Sequence, residues 1–168
     1  MKLISTILFL FVFLNFACEK PKSYSPIPAI EYNNIEIING KDELGNLIKQ
    51  VIVTFTFVDG DGDLGLATSD TTGDFAPSEA FYYNLKFNLY EKRTDTLILD
   101  TVTKPYFRFE ELKNKNSANP VLKGKMIVPI DFQMALSWPD SSLLEFYIYD
   151  RSQNQSNIEQ TKIFSLND

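Results

Sequence analysis

The chemically dense part of this chain is Asp59-Gly60-Asp61-Gly62-Asp63. Three carboxylates alternate with glycines, and a strand-like run, Val51 to Val58, leads directly into them. Calcium takes six to eight hard oxygen ligands in a tolerant geometry, and aspartates at 1-3-5 spacing supply three of them. Gly60 and Gly62 let the backbone curl so that alternate side chains converge. Asp70 stands eleven residues after Asp59, where a helix-loop-helix calcium loop places its last ligand. The sixth position, however, is Leu64 rather than glycine, and no helical pattern flanks the loop. The expectation is therefore a calcium-type loop on a β-scaffold, with Asp70 and Asp74, or Asp150 and Asn154 from another loop, completing the shell. Magnesium suits it less well, because that ion keeps more of its waters. The bland alternative is a solvated acidic turn, which Asp-Gly repeats also make.

Composition narrows the chemistry. The chain has no histidine, which excludes Ser-His-Asp and Cys-His catalysis and any imidazole-bound zinc. Its net charge is −6 and it has no basic run, so it lacks a cationic patch to release phosphate counterions and is a poor candidate for nucleic acid, which is not expected as a partner. Cys18 is the single cysteine, so no intrachain disulfide is possible. It follows Met1-Lys2 and an apolar run from Leu3 to Phe16, too short to span a bilayer comfortably and flanked like a secretory signal. Residues 1–17 read as a lipoprotein signal peptide, with Cys18 lipidated as the mature N-terminus. Leu14 lies one position upstream of the usual lipobox leucine, and an ordinary signal peptide is the alternative. The expected location is the cell envelope, as an outer-membrane lipoprotein facing periplasm or exterior. Residues 18–30, with Pro21, Pro26 and Pro28, read as an extended tether.

The elements that would position the aspartates read as strands throughout residues 31–168. Ile35–Asn39 is a short strand ended by Gly40. Asn46 to Val58 places Val51, Val53, Phe55 and Phe57 on one face and Thr54 and Thr56 on the other. Phe81 to Tyr90 alternates in the same way, and Thr96 to Val102 is its hairpin partner. Lys104 to Pro120 is irregular, with a helical turn expected around Phe109 to Lys113. Val121 to Ile130 carries Leu122, Met126, Val128 and Ile130 on one side, and Pro129 marks a strand end or an edge. Leu143–Tyr149 and Ile158–Leu166 are the last two strands. About seven strands with turn-rich spacers predict an all-β sandwich, with a β-barrel as runner-up.

Two segments carry a resemblance. Thr54 to Leu66 (TFTFVDGDGDLGL) resembles a stretch in small uncharacterised lipoproteins of the Bacteroidota group. Phe146 to Leu166 resembles the last hairpin of immunoglobulin-like modules, which reads Asp-Arg-Ala-Gly-Asn-x-Ser-Asn. Asp150, Arg151, Asn154, Ser156 and Asn157 match it, while Ser152 and Gln153 replace Ala-Gly. The resemblance implies an immunoglobulin/fibronectin-III-like sandwich, with the DGDGD and DRSQNQSN loops neighbours at one end. It implies almost nothing about activity.

Functionally the sequence supports a non-enzymatic binding or adhesion module, anchored to the membrane by lipid and taking a glycan or protein at the cell envelope. One rival is a carbohydrate-active enzyme using a carboxylate pair drawn from Glu110, Glu111 and Asp140. Another is a structural accessory subunit of an outer-membrane complex. Tyr82, Tyr90, Tyr147 and Tyr149 sit at polar-face positions and would serve as sugar platforms or as cross-strand pairs. Trp138 would be either a binding residue or a core plug.

Overall fold

The computed structural model describes residues 23–113 and 120–167; the leader and Cys18 lie outside them. The described chain is all-β, and its only helical piece is a 3-10 turn at Gly73–Phe75. Eight strands are present, against about seven expected: β1 (Ala29–Lys41), β2 (Leu47–Asp59), β3 (Leu85–Arg93), β4 (Thr96–Leu99), β5 (Tyr106–Phe107), β6 (Leu122–Gln133), β7 (Ser142–Ile148) and β8 (Glu159–Gln160). They form two antiparallel sheets, one ordered β1-β2-β6 and the other β4-β3-β7-β8, with β5 also pairing β3.

The expected faces are the observed ones. Val51, Val53, Phe55 and Phe57 of β2 meet Leu85, Phe87 and Leu89 of β3 and Leu144, Phe146 and Ile148 of β7 in one core. Phe146 joins the two sheets, with its ring 5.1 Å from Phe55 and 5.2 Å from Phe87. β6 is an edge strand, consistent with Pro129 in its middle.

Several local readings change: the last strand is Glu159–Gln160 rather than Ile158–Leu166, with Phe164 making only an isolated bridge to Ser142, and β4 stops at Leu99 short of Val102. The first strand is longer than Ile35–Asn39 and begins inside the stretch read as tether. A bulge between Tyr32 and Asn34 shifts its parity, so that Ile30 and Tyr32 before it and Ile35 and Ile37 after it all face the core. Strict alternation cannot register such a strand. Residues Phe109 to Lys113 form no helical turn; they run extended beside Leu64–Leu66, with Leu66 bridging Glu110 and the Leu112 N–H donating to the Leu64 carbonyl. Phe81 to Asn84 precede β3 rather than belonging to it. Asn84 is buried, with its amide donating to the Phe109 carbonyl and accepting from the Phe109 N–H.

Candidate metal centre

β2 ends at Asp59, and that end point decides the character of the site. Because odd-numbered residues of β2 face the core, Asp59 continues the row Val53-Phe55-Phe57 and is 0% exposed. Asp61 is exposed and Asp63 half-buried. One carboxylate oxygen from each of the three lies within 4.8 Å of the others. The buried member is poorly satisfied: Asp59 Oδ2 accepts the Asp63 N–H at 3.0 Å, while Oδ1 has no partner. Asp63 is arranged similarly, with Oδ2 accepting from the N–H and Oγ of Ser152 at 3.1 and 2.7 Å and a buried Oδ1 left unpartnered. Two orphaned carboxylate oxygens in one acidic cluster are the unusual feature here, since buried polar atoms are nearly always paired. Burial first, then the charges of Asp61 and Asp63, push the Asp59 carboxyl up to about 7.

The glycines are fixed by neighbours rather than free. Gly60 lies against the carbonyls of Tyr24 and Ser25, Gly62 (φ +77°) against that of Pro120, and Gly65 (φ +89°) against that of Glu110. A Cβ at any of the three would overlap a backbone oxygen. The loop thus takes its curled shape only with three other segments closed around it.

The second loop stands where the strand order expected it. The Arg151 N–H donates to the Asp63 carbonyl, Leu64 bridges Asp150, and Ser152 holds Asp63 as above. Ser152 and Arg151 were not among the expected site residues; their only signal was position in the loop predicted to lie alongside. Asp150, 1% exposed, spends both oxygens on Asn154, accepting its backbone N–H at 2.7 Å and its side-chain amide at 2.8 Å. Burial, the largest influence, raises the Asp150 carboxyl's pKa, with the amide bonds opposing. This pair therefore adjoins the cluster as a self-satisfied turn. Asp70 is drawn elsewhere: its Oδ2 accepts the Ala67 N–H and pairs with Arg151 at 3.2 Å. Asp74 accepts from Gln153. The three-aspartate group is the part of the expected ligand set that the fold brings together.

The remaining candidate side chains make contacts within the fold. Arg108 pins the long loop after the cluster, donating to the carbonyls of Ala67, Asp70 and Tyr82 and lying over the Tyr82 ring. Tyr147 and Tyr149 pack edge to face, and Lys86 lies over the Tyr149 and Tyr106 rings. Burial, followed by those neighbouring hydroxyls, pushes Tyr147 up to about 12. Tyr90 donates to Glu145. Trp138 packs on Phe132 and donates to the Gln133 carbonyl. Glu111 is held by Arg151, beside the aspartate loop, whereas Asp140 accepts from Asn167 near the Gln133 end of β6, at the opposite end of the sheet.

No protein-family model, curated protein or solved structure matches the chain.

Proposed function

We propose that this chain is an exported, lipid-anchored, non-enzymatic binding or adhesion module of the cell envelope, whose aspartate loop holds a calcium ion. Asp59, Asp61 and Asp63 are the protein ligands, and backbone carbonyls and water fill the rest of the shell. The observation that carries the metal is Asp59: a fully buried carboxylate with one oxygen unpartnered, facing two further carboxylates. Mutual repulsion and desolvation make that arrangement unfavourable unless a cation or a proton neutralises it. A hard, tolerant cation fits an all-oxygen donor set. The lipid anchor and envelope location rest on the leader and Cys18, and the resemblance to Bacteroidota lipoproteins agrees with them. The sheet order β1-β2-β6 against β4-β3-β7-β8, and the placement of the two loops, support the immunoglobulin-like reading. The non-enzymatic reading draws support from the placement of Glu111 and Asp140 at opposite ends of the sheet, too far apart to act as one acid/base pair.

The test is a thermal melt of the whole chain, purified in detergent, in chelator-treated buffer with and without calcium. Calcium at 100 times its Kd adds about 2.7 kcal/mol to the native state, a rise in Tm of about 5–10 °C for a domain of this size. Magnesium gives a smaller rise. Asp61→Asn, at an exposed position, lowers calcium affinity and the calcium-induced shift while leaving the calcium-free Tm nearly unchanged. An equal loss of Tm with chelator present would sink the metal reading.

A further inference from the structure

Gly60 stands between two members of the aspartate group and is pressed against the strap, residues 24–28, that precedes β1. Its N–H donates to the Ser25 carbonyl at 2.9 Å, and a Cβ in its place would overlap the carbonyls of both Tyr24 and Ser25. The Tyr24 ring lies under the Lys123 ammonium, 3.7 Å from it. Lys123 is the cross-strand partner of Val58, the residue before Asp59, and Pro28 is buried. On the loop's other side Gly62 fits against Pro120. The backbone curl that converges the three carboxylates is therefore the same surface on which the strap is seated. Two buried carboxylate oxygens in that curl, Asp59 Oδ1 and Asp63 Oδ1, lack any partner and mark where a cation would sit.

We propose that a divalent cation held by Asp59, Asp61 and Asp63 works as a clasp, fastening the strap to the domain, and that the seated strap in turn tightens the cation. This rests on the calcium reading above. Three carboxylates whose oxygens lie within 4.8 Å repel one another, which favours an opened loop; opening carries Gly60 away from Ser25 and unseats the strap. A cation that binds only the curled loop favours everything else that needs the curl, and linkage makes the effect reciprocal. The downstream end of the strap is fixed independently, because the Asn157 side chain accepts from the Ile30 N–H and donates to the Ile30 carbonyl, both at 2.8 Å. The clasp thus acts on residues 24–28, between that fixed point and the chain preceding it. Through those residues the cation governs how rigidly the domain is held relative to that chain.

The experiment is NMR-detected amide exchange on the whole chain in detergent, with calcium and with chelator, alongside calcium calorimetry. The Gly60 amide, bonded to the Ser25 carbonyl, reports the seating of the strap, the Ile27 amide, bonded to the Ser25 hydroxyl, reports order within it, and the Ile30 amide, bonded to Asn157, is the internal reference. Calcium is expected to slow exchange at Gly60 and Ile27 by about fivefold or more relative to Ile30. Tyr24→Ala is expected to abolish the Ile27 effect and weaken calcium binding by a similar factor at unchanged stoichiometry. Gly60→Ala adds a Cβ that the seated strap cannot accommodate, and Tyr24→Ala keeps the test usable if that variant does not fold. One-site calcium binding with no selective change at Gly60 and Ile27, and equal affinity in Tyr24→Ala, would overturn the clasp and leave the metal site standing. Absence of calcium binding in both calorimetry and thermal melts would overturn both.

Discussion

At the scale of single residues, Asp59 has the largest consequence. Its folded-state carboxyl is raised to about 7 from an ordinary 3.8, so the folded chain holds this proton more tightly than the unfolded chain does. The stability it contributes is fully present below the unfolded value and is lost as pH rises through about 7. Without calcium, Tm should fall between pH 5 and pH 8 as Asp59 ionises. Asp59→Asn should flatten the fall, and saturating calcium should reduce it in the parent; melts across that range check both. The glycines offer a second comparison. Gly62 and Gly73 both have positive φ, but a Cβ on Gly62 would strike Pro120 whereas one on Gly73 meets open space. Gly73→Ala should lower stability by about 1 kcal/mol from backbone strain alone. Gly62→Ala should lose at least about 2 kcal/mol more, because backbone must move, and it should lose calcium binding too. The core of the site was legible because Asp-Gly alternation at a strand end needs no tertiary information. Asp70 was misplaced for the opposite reason. Loop spacing says how far a side chain can reach, and the Arg151 that captures it is distant in sequence.

Among the elements, β2, β3, β6 and β7 were readable because each buries one face against the other sheet and so keeps a two-residue period. β1 and the stretch around β5 were not. A bulge breaks the period in β1, and residues 109–112 gain their extended form from Leu64 and Leu66 rather than from their own pattern. A tight turn forms at Gln153, whose N–H donates to the Asp150 carbonyl and whose φ is +67° where the similar motif has glycine. Asn84 and Arg108 are among the side chains that hold the segment between β2 and β3, which lacks extended strand pairing. Asn84→Ala removes both bonds to Phe109 in a buried setting and should cost about 2 kcal/mol, measured by denaturant titration. Arg108→Ala frees three carbonyls and the Tyr82 ring. Limited proteolysis should then cut within residues 67–82 well before the rest of the domain unfolds.

For the whole molecule, the two loops that meet around Asp63 lie far apart in sequence, and so do the partners joined by Asn157. The side-chain amide of Asn157 closes the ladder at Ile30, across 127 positions of chain. Contacts of that span form late, because loop closure precedes any compensating interaction. A chain emerging from its N-terminus can therefore pair β1 with β2 early, but it cannot satisfy the Ile30 backbone groups until Asn157 has also emerged. During synthesis the β1 edge would stay uncovered at Ile30, and completion of the domain would register that residue 157 has emerged.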